Sequence, residues 1–151
     1  MIQDVVVKPL RVIPDDRGYL MEMLRCDDPF FERFGQSYLT CANPAVVKGW
    51  HYHRVQVDHF VCVSGLAKVV LYDRREASPT RGELQEFFMG ALNPILLRIP
   101  PLVLHGFTAV GRDPALIINF PSDPYDYQHP DEFRVAWNSP EVPYDWTVRN
   151  G

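Results

Sequence analysis

The sequence predicts an all-β protein, and three observations support this prediction. The 14 prolines and 9 glycines are spread over the 151 residues and divide the chain into short segments. Those segments are rich in β-branched and aromatic residues, which pack well on a pleated sheet. About ten short strands in a chain of single-domain length indicate a double-sheet jelly roll. We therefore expect one domain over residues 1–151, with segment 121–151 packed across the outside of the barrel.

Turn-forming residues set the order of the predicted elements. A turn at 14–18 (PDDRG) separates early strands from a strand over 19–24, because Asp and Gly favour turns. Segment 29–34 (PFFERF) predicts one short helix, with Asp28 as its N-cap and Gly35 at its end. The other predicted strands cover residues 5–7, 10–13, 38–42, 46–53, 59–63, 67–72, 84–89, 95–99, 104–110 and 115–120.

The composition excludes several classes of protein. A net charge of −4 argues against a broad nucleic-acid interface. No apolar run approaches the roughly 18 residues of a membrane span, and the first residues lack the pattern of a signal peptide. The cysteines Cys26, Cys41 and Cys62 are scattered and odd in number, which suits reduced thiols. We therefore expect a cytoplasmic protein.

Two histidines and a carboxylate form the most informative pattern of the chain. His51 and His53 are two residues apart, so in a strand both side chains lie on one face. Asp58 follows on the next predicted strand, and His105 lies on a later one. Such a face is either a metal site or a proton-transfer site, because imidazole and carboxylate groups serve both purposes.

This spacing resembles the first signature of the cupin superfamily, H-x-H-x4-D-x6-G, with Asp58 at the position where Glu is usual. Segment 100–105 resembles the second signature, although Leu102 stands where a Gly is expected. In a cupin, His51, His53, Asp58 and His105 would form a suitable ligand set for one divalent transition-metal ion.

Five motifs, in order, resemble the dTDP-4-dehydrorhamnose 3,5-epimerase family, a metal-free branch of the cupin fold. Segment 15–22 (DDRGYLME) is similar to D-x-R-G-F-F-x-E, and segment 48–53 (KGWHYH) to R-G-L-H-[YF]-Q. Segment 72–82 looks like V-D-[IL]-R-x-x-S-P-T-[FY]-G, and segment 93–107 like N…I-P-x-G-F-A-H-G-F. Segment 127–137 looks like Y-x-P-x-x-E…W. The resemblance implies a cupin jelly roll, or double-stranded β-helix.

The resemblance also implies an activity. The substrate would be a nucleotide-linked 4-keto-6-deoxyhexose, and the reaction would pass through an enolate without a cofactor. By this likeness His51 is the base and Tyr127 the acid, while Lys48, His53 and His105 contact the substrate. Family members are homodimers that exchange N-terminal strands. The same likeness therefore implies that three further residues reach the site from the partner subunit, namely Arg17, Tyr19 and Glu22.

Three positions depart from the family pattern. Asp58 stands where the family has a lysine, and an anion there opposes the formation of an enolate. His53 replaces a glutamine. Among residues 145–151 we find no match for the aspartate that orients the family's base, and one hypothesis is that Asp58 takes over this role.

These departures keep three functions open. The first is a nucleotide-sugar epimerase or isomerase that works by proton transfer without a cofactor, with His51, Tyr127 and Asp58 as its catalytic residues. The second is a metal-dependent cupin, an oxygenase or isomerase, that uses His51, His53, Asp58 and His105 as ligands. The third is a sugar-binding relative without catalytic activity. The sequence favours the first.

Overall fold

The structure is a computed structural model that describes residues 1–147, and it contains only strands, turns and loops over that range. The all-β prediction is therefore confirmed. No helix in the described residues could cross a membrane. The strands are β1 (Val6–Pro9), β2 (Val12–Asp15), β3 (Gly18–Met21), β4 (Tyr38–Ala42), β5 (Val47–Tyr52), β6 (Asp58–Ser64), β7 (Leu66–Asp73), β8 (Leu84–Gly90), β9 (Ile95–Ile99), β10 (Val103–Ala109), β11 (Ala115–Asn119) and β12 (Phe133–Arg134).

Two antiparallel five-stranded sheets form the jelly roll. The first sheet has the strand order β1-β9-β6-β11-β4, and the second has the order β12-β5-β10-β7-β8. The strands β2 and β3 form a separate hairpin. The main core fills the space between the two sheets, where Phe60, Leu97 and Ile117 of the first sheet pack with Leu71 and Phe107 of the second.

The outer faces of both sheets are covered as well. Trp50 and Leu104 on the outside of the second sheet pack against Val142 and Trp146, which follow β12 in the chain. Phe30 belongs to a cluster on the outside of the first sheet. With the outer faces covered, the polar side chains that line the interior of the jelly roll stand out as candidates for function.

The predicted helix over 29–34 is wrong. Residues 26–30 form turns, and residues 31–37 have no regular structure. Asp28 does not act as a helix cap, because its carboxylate accepts hydrogen bonds from Lys8 Nζ at 2.7 Å and from the Arg25 amide at 2.9 Å. Phe30 stacks on the buried ring of His59, with 6.0 Å between the centroids. Tertiary contacts thus override a favourable local pattern.

Most strand predictions agree with the structure, and β12 is the clear omission. β4 and β9 coincide with the predicted 38–42 and 95–99. β12 has two residues and pairs with β5, with Arg134 opposite His51 and Phe133 opposite Tyr52. So short a strand carries no alternation that a sequence pattern could show.

Candidate active site

A pocket of about 820 Å³ opens between the two sheets, a size typical of small-molecule sites. Its walls come from β4, β5, β6 and β10 and from the loop that leads to β12. Charged, imidazole and phenol groups line it together with Phe60 and Phe107. The lining residues that matter here are Tyr38, Thr40, Lys48, His51, His53, Gln56, Asp58, His105, Tyr127, Asp131, Glu132 and Arg134.

Two glycines allow the strands that carry the histidines to approach closely. A Cβ on Gly49 of β5 would lie 2.9 Å from the Cα of Gly106 in β10, so no side chain fits there. Beside this contact, His51 and His105 are direct cross-strand partners. Their rings stack with 6.2 Å between centroids and 25° between planes. The close approach of the strands therefore places two imidazoles side by side in the pocket.

His51 has a carboxylate partner that comes from the opposite end of the sequence. Its Nδ1 lies 3.2 Å from Oε1 of Glu132, just before β12. The same glutamate accepts hydrogen bonds from Nε and Nη2 of Arg134, at 3.0 Å and 2.6 Å. A carboxylate accepts hydrogen bonds, so the proton of a neutral His51 belongs on Nδ1. This leaves the Nε2 lone pair of His51 free to accept a proton.

Burial keeps His51 neutral. Partial burial and the neighbouring ring of His105 lower the pKa of His51 to about 4, and Glu132 only partly opposes this effect. His51 is therefore unprotonated near neutral pH, as a general base must be. Burial opposes ionisation of Glu132, but Arg134 and His51 outweigh it and lower the pKa of its carboxyl group, so Glu132 stays charged.

Asp58 forms a second cluster, which bridges the two sheets. Its Oδ2 lies 3.1 Å from Nε2 of His53 and 3.3 Å from Nε2 of His105. Its Oδ1 accepts hydrogen bonds from Gln56 Nε2 at 2.8 Å and Asn119 Nδ2 at 2.9 Å. Asp58 belongs to the first sheet, whereas His105 lies in the second and His53 directly follows β5.

His53 and Asp58 form a charged pair within this cluster. Burial disfavours a charged His53, but Asp58 and the carbonyl of Asp131 outweigh burial and raise the pKa of His53 to about 9. Burial likewise opposes ionisation of Asp58, yet His105 and His53 hold its pKa below the usual range. His51 and His53 therefore differ in charge near pH 7, although one residue separates them.

The structure brings together His51, His53, Asp58 and His105, but the hypothesis that Asp58 orients the base is wrong. Asp58 contacts His53 and His105, whereas Glu132 contacts His51. The reason is geometric, because Asp58 begins a strand of the opposite sheet and Glu132 precedes the neighbour of β5.

Two more predicted residues line the pocket. Lys48 donates a hydrogen bond from Nζ to Thr40 Oγ1 at 2.7 Å, so its charge is held at the wall. Tyr127 lies at the edge of the pocket, 90% exposed, with its ring 5.1 Å from that of Tyr125. Both residues can reach a ligand that fills the pocket.

Arg17, Tyr19 and Glu22 do not line the pocket. Arg17 pairs with Asp15 on the hairpin of β2 and β3, and Tyr19 is 69% exposed. Glu22 pairs with Arg25 at 2.7 Å, again on the surface. Within a single chain, these three residues lie outside the site.

Sequence reasoning missed four residues of the site. The sequence patterns include Glu132 only as part of a motif, and they assign no role to Gln56 or Asn119. The sequence predicts Tyr38 only as a strand residue, but its hydroxyl accepts a hydrogen bond from Asn119 at 2.9 Å. Burial, with Asp58 nearby, raises the pKa of Tyr38 to about 12, so its phenol keeps its proton. In the sequence, only the spacing of polar residues at alternate strand positions could indicate these four residues as part of the site.

The jelly roll, together with a pocket of imidazoles and carboxylates, defines an enzyme of the cupin type. The family model for dTDP-4-dehydrorhamnose 3,5-epimerase matches residues 1–150. The chain therefore belongs to the dTDP-4-dehydrorhamnose 3,5-epimerase family, whose members are sugar epimerases and hence isomerases. The family predicted from the five motifs is confirmed.

Relatives of known name and structure agree with this assignment. A "Probable low-salt glycan biosynthesis epimerase" of Haloferax volcanii is 46% identical over 149 residues, which are 97% of this chain and 96% of that protein. The spore coat polysaccharide biosynthesis protein SpsL of Bacillus subtilis is 42% identical over 98% of both chains. A crystal structure of a dTDP sugar isomerase from Desulfovibrio desulfuricans has a TM-score of 0.92 at 37% identity, and the match covers 99% of this chain and 94% of the other.

Proposed function

We propose that this enzyme epimerises or isomerises a dTDP-linked 4-keto-6-deoxyhexose by moving protons through an enolate. The pair of His51 and Glu132 in the pocket carries this proposal, because it supplies an oriented and neutral base. Among related structures, NovW of Streptomyces spheroides is a 4-keto-6-deoxy sugar epimerase, with 27% identity and a TM-score of 0.85 over 97% of this chain. That substrate class fits a pocket with both polar and aromatic walls.

The reaction begins at a carbon next to the keto group. The keto group acidifies that C–H bond, and Nε2 of His51 takes the proton while the bonding electrons form the enolate. Glu132 stabilises the resulting imidazolium through Nδ1, and Arg134 holds Glu132 in place. A proton returned to the opposite face of the carbon inverts its configuration.

Tyr127 is our candidate for the returning acid. Its hydroxyl belongs to the loop before β12, whereas His51 lies on β5, so the two groups approach a ligand from different walls. A phenol can donate its proton when an enolate is the direct acceptor. We propose that Lys48 binds the phosphates of the nucleotide. It offers a single positive charge and lacks the bidentate hydrogen-bond geometry of arginine.

The proposed reaction consumes no oxidant and no reductant, so it requires no organic cofactor. We place it in the cytoplasm, in agreement with three unpaired cysteines. We further propose a homodimer, in which the hairpin of β2 and β3 carries Arg17, Tyr19 and Glu22 to the partner's pocket. The exposed apolar side chains of Ile13 and Leu20 on this hairpin support a contact between subunits.

The test is turnover of a dTDP-linked 4-keto-6-deoxyhexose, with the product identified by proton NMR. The variant His51→Ala should lower kcat by roughly 100- to 10,000-fold, the usual share of a general base. Tyr127→Phe should lower kcat with little change in KM. Circular dichroism and the melting temperature check that each variant is folded.

Two results would contradict the proposal. Turnover that survives His51→Ala would show that another group removes the proton. Stabilisation of the wild type by the sugar nucleotide without any turnover would instead indicate a sugar-binding protein without catalytic activity.

A further inference from the structure

Tyr38 is a pocket residue to which the proposed proton transfer assigns no role. It begins β4, and the polar side chains of Gln36, Tyr38 and Thr40 line the pocket at alternate positions of the chain. β4 belongs to the first sheet, whereas His51 lies on β5 of the second. A ligand in the pocket can therefore contact His51 on one wall and the hydroxyl of Tyr38 on the other.

A chain of hydrogen bonds fixes the direction in which the hydroxyl of Tyr38 is polarised. The backbone N–H of His59 donates to Asn119 Oδ1 at 3.0 Å, and a backbone N–H can only donate, so this atom of the amide is its oxygen. The amide nitrogen, Nδ2, then donates one hydrogen to Tyr38 Oη and the other to Asp58 Oδ1, each at 2.9 Å. Tyr38 is therefore an acceptor in this chain, which leaves its own hydrogen unused.

The hydroxyl of Tyr38 is a donor that stays available to a ligand. Within residues 1–147, its only hydrogen bond is the one that it accepts from Asn119. Burial and the nearby charge of Asp58 raise the pKa of Tyr38 to about 12, so the phenol keeps its hydrogen near neutral pH. Hydrogen bonds in a chain polarise one another, and the bond accepted from Asn119 therefore strengthens Tyr38 as a donor.

The ion pair of His53 and Asp58, which shares Asn119 with Tyr38, offers no hydrogen to a ligand. Nδ1 of His53 contacts the carbonyl oxygen of Asp131, and Nε2 lies 3.1 Å from Asp58 Oδ2, so these partners take up both of its hydrogens. Since His53 is charged near pH 7, the pair has no net charge. The anion at position 58 is balanced in this way, and the neighbouring donor that remains is Tyr38.

We propose that Tyr38 is a further catalytic residue, whose hydroxyl donates a hydrogen bond to the keto oxygen of the sugar and stabilises the enolate. This inference rests on the proposed function. When Nε2 of His51 removes the proton, the electrons of the C–H bond form a carbon–carbon double bond, and those of the C=O π bond move onto the oxygen. A positioned donor lowers the barrier most where such charge develops. Tyr38 itself transfers no proton, which distinguishes its role from that of Tyr127.

The test measures solvent exchange and epimerisation in the same reactions. A dTDP-linked 4-keto-6-deoxyhexose is incubated with each enzyme in deuterium oxide, and proton NMR follows both the entry of deuterium beside the keto group and the inversion of the carbon. Tyr38→Phe removes only the hydroxyl, and it should lower both rates together, by roughly 100- to 1,000-fold in kcat with little change in KM. Tyr127→Phe should lower epimerisation more than exchange, because the enolate still forms.

Tyr72→Phe is the matched control for the loss of a hydroxyl. Tyr72 packs against the cluster on the outside of the second sheet and does not line the pocket, so this variant should keep both rates. The melting temperature of each variant checks that it is folded.

The outcomes separate this inference from the proposed function. A folded Tyr38→Phe that keeps kcat within about threefold of the wild type overturns the role of Tyr38, while the proposed function stands. A loss confined to KM also overturns it, because the hydroxyl would then bind the sugar without stabilising the enolate. Retained exchange with lost epimerisation overturns it as well, since Tyr38 would then be the returning acid. A wild type that binds the sugar nucleotide but exchanges no deuterium overturns the proposed function and this inference with it.

Discussion

Asp58 and Asp73 are both buried carboxylates, yet their surroundings differ. Asp73 is completely buried and accepts hydrogen bonds from Arg75 at 2.9 Å and from the hydroxyls of Ser78 and Thr80 at 2.6 Å. Asp58 is equally buried, but its Oδ2 faces two imidazoles at 3.1 Å and 3.3 Å and its Oδ1 accepts hydrogen bonds from two amides. Burial alone therefore does not identify an acid that takes part in function. Asp73 is paired with arginine and hydroxyl groups away from the pocket and maintains the fold, whereas Asp58 is paired with titratable imidazoles in the lining of the pocket.

The largest effect is expected for Asp73→Asn. The substitution removes the buried partner of Arg75 and leaves it only the ion pair with the exposed Asp4 at 3.2 Å, and arginine cannot lose its charge. We expect a loss of about 3–5 kcal/mol in the free energy of unfolding, measured by urea denaturation at pH 7. A loss below about 1 kcal/mol would show that this acid is not structural.

The difference in stability between the wild type and Asp73→Asn depends on pH. Burial opposes ionisation of Asp73, but Arg75, Ser78 and Thr80 hold its pKa below the ordinary 3.8. A carboxyl whose pKa is depressed by folding contributes stability above its unfolded pKa, and that contribution declines as pH falls through the folded pKa. The difference in stability between the wild type and Asp73→Asn should therefore shrink below about pH 4. A difference that stays constant down to pH 2 would contradict this assignment.

Glu132 is a third acid, partly exposed and bound to a catalytic base. We expect Glu132→Gln to lower kcat by roughly 10- to 100-fold with little change in KM, because His51 loses its charged partner. The exposed Glu141 provides the matched control Glu141→Gln, which should keep full activity. Loss of folding in Glu132→Gln, or a change confined to KM, would contradict a positioning role.

The smallest effect is expected for Asp58→Asn, measured as a change in stability. Histidine can lose its proton when its partner is removed, so His53 and His105 adapt as Arg75 cannot. We expect a loss of about 1–2 kcal/mol in the free energy of unfolding, clearly less than for Asp73→Asn. A loss equal to that of Asp73→Asn would erase the distinction between the two acids.

The sequence predicted most of the fold because strands with alternating apolar residues show their period directly. β4 and β9 were placed correctly, since turn residues border them. The helix over 29–34 was wrong because its local signals were outweighed by the contacts of Asp28 and Phe30. β12 was missed because two residues show no period.

The site was predicted in part. His51, His53 and His105 were placed together correctly, because alternation along β5 and a cupin-like spacing both pointed to one face. The partner of His51 could not be found by pattern, since Glu132 lies 81 residues further along the chain. Pairing between β5 and β12 creates that contact, and such pairing is a property of the fold rather than of local sequence.

The most direct test of the central claim is solvent exchange at the sugar. A dTDP-linked 4-keto-6-deoxyhexose is incubated with the wild type in deuterium oxide, and proton NMR follows the carbons beside the keto group. We predict loss of the proton signal at one or both of these carbons, as deuterium enters through the enolate. Tight binding of the sugar nucleotide with all of these proton signals retained would contradict proton transfer in this pocket.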